Sequence, residues 1–202
     1  NGLKALNLKD EDELINVFLT DGNADVIIGT KFGYSVRFKE SVIRNMGRSA
    51  TGVRGVNLRP GDQVVGASVI TDQDEVLIIT EKGYGKRTRA DEYPTKGRGG
   101  KGIKTANVAD KNGPLAGLMT VKGDEDLMII TNTGVIIRIS VSDISKYGRL
   151  ASGVKLMNIE RDGEEEIRIA GIAKFKESMS AVQESEGEAE SNEDSEDIES
   201  NK

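Results

Sequence analysis

The chain has 202 residues with 28 bases, 34 acids, no cysteine and no histidine, which excludes a disulfide framework, thiolate chemistry, histidine acid–base catalysis and the usual zinc sites. The net charge of −6 is unevenly placed, because residues 177–202 hold ten acids and one base while the rest holds 27 bases and 24 acids, so a basic body carries an acidic tail. No apolar run approaches the roughly 18 residues that span a bilayer and nothing resembles a signal peptide, so a soluble intracellular protein is expected.

In chain order, the first 23 residues read as the end of an incomplete unit. Gly2, Leu3, Lys4 and Asn7 fit a register that recurs later, and Leu14–Thr20 is an aliphatic run that predicts a strand. The chain opens inside this unit without a methionine, which suggests a fragment of something longer. Three full units follow at about 24–73, 74–124 and 125–176. Each begins with a buried strand, Asp25–Thr30, Glu75–Thr80 and Asp126–Thr131. A tight turn reaches a glycine at Gly33, Gly83 or Gly134, where positive φ suits a hairpin. The partner strand follows at Tyr34–Phe38, Tyr84–Arg89 and Val135–Ser140, each with an arginine at the same place, Arg37, Arg87 and Arg138.

The third strand carries a second glycine and a base, and ends at an asparagine: Gly52-Val53-Arg54 to Asn57, Gly102-Ile103-Lys104 to Asn107, and Gly153-Val154-Lys155 to Asn158. A fourth is aliphatic, at Val64–Ile70, Leu115–Val121 and Ile169–Phe175. Four strands per unit of about 50 residues, with no convincing amphipathic helix, predict an all-β array of propeller-like blades, with a β-solenoid as the alternative. The partial unit at one end and the leftover strand at the other suggest that blades are completed by strands exchanged between neighbouring repeats. Residues 177–202, acidic and without aromatics, are expected to be disordered, since they bury too little apolar surface to offset an ordering cost of roughly 1 to 2 kcal/mol per residue.

The connection before the third strand is the most informative segment. Its copies begin at Gly47-Arg48, Gly97-Arg98 and Gly148-Arg149, and all have the form Gly-Arg-x-x-x-Gly-aliphatic-base. Glycines let a backbone approach a phosphate, and arginine and lysine neutralise it. From Thr80 to Val108 there are eight bases against three acids. The candidate phosphate contacts are Arg48, Arg54, Arg98, Lys101, Lys104, Arg149 and Lys155. Arg37, Arg87 and Arg138 form a second tier, because strand arginines can instead pair with turn carboxylates. Nothing resembles a base-reading helix, so binding would be sequence-independent and salt-dependent. The acidic clusters at Asp10–Glu13, Asp72–Glu75 and Asp124–Asp126 recur between the same strands and read as turns rather than a metal site. No phosphate-binding loop of the Gly-x-x-x-x-Gly-Lys-Ser/Thr type occurs.

The stretch from Met46 to Val56, followed by Gly83-Tyr84-Gly85-Lys86-Arg87-Thr88 and Glu92-Tyr93-Pro94-Thr95-Lys96, resembles the C-terminal domains of DNA gyrase A subunits from Asn1 to about Phe175. The resemblance implies three to four blades of a six-bladed β-pinwheel that wraps double-stranded DNA on its basic perimeter. It also implies work with gyrase B and with the rest of the A subunit, in an A2B2 bacterial cytoplasmic, nucleoid-associated enzyme that supercoils DNA using ATP. The ATP and Mg²⁺ sites would lie elsewhere, leaving no catalytic residue, cofactor or metal in this part. The family's DNA-cleaving tyrosine follows an arginine, whereas the four tyrosines here follow Gly33, Gly83, Glu92 and Lys146. The family's box, Gln-Arg-Arg-Gly-Gly-Lys-Gly, is matched at five of seven positions by Lys96-Gly97-Arg98-Gly99-Gly100-Lys101-Gly102, but in a later repeat. This run therefore implies a degenerate box that contacts DNA without being the main wrapping determinant. One alternative is the related C-terminal domain of topoisomerase IV. The other is a propeller that binds protein partners, which would favour an aromatic-rich patch that the 4% aromatic content does not supply.

Overall fold

The structure is a computed structural model that describes residues 2–159 and 166–175. Each repeat contributes a hairpin: β1 (Asp25–Thr30) with β2 (Tyr34–Lys39), β4 (Glu75–Thr80) with β5 (Tyr84–Arg89), and β8 (Asp126–Thr131) with β9 (Ile136–Ser140). The turn glycines Gly33, Gly83 and Gly134 have φ of 81°, 79° and 83°, a region in which a Cβ is strained. On the far side of each hairpin lies a long aliphatic strand: β3 (Val64–Ile70), β7 (Leu115–Val121) and β11 (Ile169–Phe175).

The fourth strand of a blade comes from the next repeat. β6 (Ile103–Lys104) pairs with β2, Tyr34 opposite Lys104 and Ser35 opposite Ile103. β10 (Val154–Lys155) pairs with β5 in the same register, Tyr84 opposite Lys155. The sheets therefore run β3-β1-β2-β6, β7-β4-β5-β10 and β11-β8-β9. This is the expected strand exchange, built as a row of blades rather than a β-solenoid. The hairpin enters so closely that a Cβ on Gly102 would lie 2.7 Å from the Ser35 carbonyl oxygen, and one on Gly153 would lie 2.4 Å from that of Gly85.

The central strand β4 explains why its sequence is apolar without alternation. Successive side chains leave opposite faces of a strand, and both faces here are covered. Val76 and Ile78 join Ile27, Ile70, Leu115, Leu118 and Tyr93 in one core, while Leu77 and Ile79 join Leu127, Ile129, Val141 and Ile144 in another. The long strands meet at the inner side, β3 against β7 and β7 against β11. There a Cβ on Gly66 would come within 2.3 Å of the Leu118 carbonyl oxygen.

Two strand expectations are corrected. Leu14–Thr20 forms no strand, and Val17 and Leu19 are largely exposed; its ladder would require the hairpin of a preceding repeat, which this chain does not contain. The third strand is shorter than expected, two residues in the second and third copies, and Val53-Arg54 forms none for the same lack of a hairpin. Val56 makes only an isolated bridge to Gly100. The acidic clusters do sit in turns: Asp74 accepts from the Thr71 amide at 2.7 Å, and Glu125 from the Lys122 amide at 2.7 Å. The tail 177–202 lies outside the described residues.

Candidate nucleic-acid interface

Strand exchange carries the glycine and base motif to the outer edge of the first and second blades, since the long aliphatic strands occupy the inner side. Lys104 and Lys155 sit on the outermost strands, and both are exposed. Arg48, Arg54, Arg98 and Lys101 are exposed on the loops beside them, and Arg149 is half-buried. Consecutive loops are tied by one repeated contact. Arg98 donates from Nη1 to the Arg54 carbonyl at 3.2 Å, and Arg149 donates from Nη1 to the Lys104 carbonyl. Each tether occupies one of a guanidinium's five N–H donors. Among the described residues, Arg48, Arg54, Lys101 and Lys155 have no carboxylate partner. The rim thus presents uncompensated positive charge at successive blades.

The strand arginines form a different population, and Arg37 and Arg87 are corrected as phosphate contacts. Arg37 is 7% exposed, donating from Nε to Asp25 at 2.8 Å, from Nη2 to Asp72 at 2.7 Å, and from Nη1 to the Ala90 and Tyr93 carbonyls. Arg87 is equally buried, donating to Glu75 and to the Ile144 and Ser142 carbonyls. A carboxylate supplied across the hairpin makes each burial tolerable and joins one blade to the loop of the next. Burial alone raises the Asp25 pKa, but hydrogen bonds from Thr95, Lys39 and Arg37 outweigh it and hold the carboxyl below its ordinary value. Arg138 is half-exposed; it pairs with Asp126 at 2.5 Å and lies over the Phe175 ring. Lys86 and Arg87, counted with the bases of the middle repeat, are both buried, so the rim charge there is smaller than the sequence count.

The repeats are matched by the family model described as DNA gyrase C-terminal domain, beta-propeller, at residues 1–21, 24–71, 74–122 and 125–168. The chain belongs to the DNA gyrase C-terminal domain family. It is 66% identical over 189 residues to the DNA gyrase A subunit of Streptococcus pneumoniae, covering 94% of this chain and 23% of that protein. It is 62% identical over 171 residues to its counterpart in Halalkalibacterium halodurans, covering 85% and 20%. The chain thus spans about a quarter or less of the curated relatives it matches. Among solved structures it is similar to the C-terminal domain of DNA topoisomerase IV, with a TM-score of 0.77 and 28% identity over 85% of this chain and 53% of that one. It shares the fold of a DNA gyrase A C-terminal domain, with a TM-score of 0.75 and 23% identity over 87% and 58%.

In this gyrase C-terminal domain the rim has members that sequence reasoning passed over. The Arg59 guanidinium stacks 3.3 Å from the Tyr34 ring centre and donates to the Lys101 carbonyl at 2.8 Å. Lys111 lies 5.9 Å over the Tyr84 ring. These cation–π pairs place further bases beside Lys104 and Lys155, the partners of those tyrosines in the ladder. Their signal in the sequence is a tyrosine following the turn glycine in both repeats. The spacing of the bases hides it, because Arg59 and Lys111 are two positions away from a common 50-residue register.

Proposed function

We propose that the chain is a DNA-binding and DNA-wrapping part of a DNA gyrase A subunit. The observation that carries this reading is the division of the bases: strand arginines are neutralised by carboxylates, while the rim arginines and lysines, exposed apart from the half-buried Arg149, have no carboxylate partner among the described residues. Phosphates passing along the rim would meet Arg48, Arg54, Arg98, Lys101, Lys104, Arg149 and Lys155 in turn, without reading bases. The chain would serve an A2B2 enzyme with gyrase B in the bacterial cytoplasm and nucleoid, holding DNA in the crossing that ATP-driven strand passage turns into negative supercoils. ATP and Mg²⁺ would act outside these residues. Gyrase is favoured over topoisomerase IV because the named gyrase relatives are 62% and 66% identical, against 28% for the topoisomerase IV structure. The acidic tail adds regulation to this reading: its ten carboxylates, tethered near a basic rim at an effective concentration of order mM, compete with DNA for it.

The test is duplex DNA binding by the chain, with and without residues 177–202, across a salt series. Affinity should fall with a log–log slope of about −0.9 per phosphate contact. Arg98→Glu with Lys101→Glu should flatten that slope, and deleting the tail should raise affinity at low salt. Unchanged affinity in the double charge reversal would overturn the assignment of the middle loop, and unchanged affinity after tail deletion would remove the competitor.

A further inference from the structure

Lys86 is a lysine with 0% exposure in the middle of β5. Its Nζ donates to the Gly148 carbonyl at 2.8 Å and to the Arg149 carbonyl at 2.6 Å. Glu92, on the single-turn 3-10 helix Ala90–Glu92, accepts from the Arg149 backbone amide at 2.7 Å. The third rim loop is therefore held from beneath by a charge pair from the preceding repeat, one member on its carbonyls and the other on its amide. Burial lowers the Lys86 pKa to about 8, with Glu92 opposing that fall and Arg149 adding to it. The charged and titratable groups facing the ammonium are Glu92 and Arg149, with Tyr93 close to the same pair.

The other repeats supply the contrast. Val36 and Ile137 occupy the register of Lys86, and Val42 and Asp143 that of Glu92. An aliphatic side chain thus fits this position, and a buried ammonium carries a desolvation cost that space-filling alone does not justify. Beneath the equivalent loop of the preceding repeat, where Val36 replaces the lysine, a cavity of about 190 Å³ is lined by Ser35, Lys96, Gly97 and Lys101. Ser35, 1% exposed, has a hydroxyl with no hydrogen-bond partner among the described residues. One loop is clamped and its neighbour stands over a gap.

We propose that Lys86 is a positioning residue whose ammonium, together with Glu92, fixes the Gly148–Arg149 backbone so that the Arg149 guanidinium meets a DNA phosphate. The proposal rests on the reading of the rim as a phosphate track. Lys86 itself is sealed from solvent and touches no DNA, so any effect of changing it on DNA binding passes through the loop.

The test combines Lys86→Met, Arg149→Ala and the double variant in the chain, with thermal melts to check folding. Arg149→Ala should reduce the salt slope of DNA binding by about 0.9, the loss of one phosphate contact. Lys86→Met should give the same reduction, and the double variant no further loss. Amide exchange at Arg149 and Ala151 should lose protection in Lys86→Met without DNA present, which reads the clamp separately from the rim. Since the chain has no cysteine, Lys86→Cys can be aminoethylated under denaturant and refolded, restoring an ammonium, and this should restore both slope and protection. Unchanged loop protection in Lys86→Met overturns the clamp. Lost protection with an unchanged slope, while Arg149→Ala lowers it, overturns the positioning role. An Arg149→Ala slope equal to that of the parent overturns the phosphate contact and with it the role of the clamp in DNA binding.

Discussion

Arg37 and Arg98 carry the same charge, yet removing them has opposite consequences because their surroundings differ. Arg37→Ala leaves the buried Asp25 carboxylate with only Lys39 and Thr95 and frees the Ala90 and Tyr93 carbonyls, and loss of one member of a buried pair costs up to about 3 to 5 kcal/mol. Arg98→Ala, at an exposed loop position with one tether, should change stability by about 0.5 kcal/mol or less while weakening DNA binding. Urea unfolding of the two variants beside DNA titrations checks this crossing of effects. Lys86 gives a pH prediction. Its folded pKa of about 8 lies below the roughly 10.4 of an unfolded lysine, so between those values the unfolded chain binds more protons and this group makes stability rise with pH. Urea melts at pH 7.5 and 9.5 should show that rise in the parent and a smaller one in Lys86→Met.

Among the elements, the two-residue outer strands depend on glycine geometry more than on side-chain burial. Gly102 has φ of 74° and would place a Cβ against the Ser35 carbonyl, whereas Gly52, with φ of 86°, would meet nothing within 4 Å. Gly102→Ala should therefore cost more than the roughly 1 to 2 kcal/mol of left-handed strain that Gly52→Ala incurs. It should also lower DNA affinity by detaching β6 and Lys104, as urea unfolding and a salt series would read. The hairpins were legible in the sequence because turn glycines and aliphatic runs recur at fixed spacing, and both signals are local. The length of β6 and β10 was not legible: pairing needs a hairpin from the previous repeat, and the sequence of Val53-Arg54 looks no different from that of Ile103-Lys104. Among the candidate contacts the loop arginines were readable from a motif repeated three times. The burial of Arg37, Arg87 and Lys86 was hidden, because their acceptors are largely backbone carbonyls 53 to 63 residues away.

Across the whole molecule, stability resides between blades. Ile78 belongs to the second blade but packs with Ile27 and Ile70 of the first, so Ile78→Ala should cost about 2 to 5 kcal/mol, measurable by calorimetry. Ile136, 59% exposed on β9, the outermost strand of the third blade among the described residues, should cost about 0.5 kcal/mol or less when changed to alanine. Borrowing the outer strand from the following repeat has a further consequence, for how such arrays gain and lose members. The unit written in the sequence and the unit that folds are out of phase by one strand, like links of a chain rather than beads on a string. Excising one period of about 50 residues anywhere in the array brings a donor from farther along to the waiting hairpin, and the links close up. A cut that ends between the long strand of one repeat and the glycine motif of the next leaves the last link open, although every residue of that blade's own repeat is present.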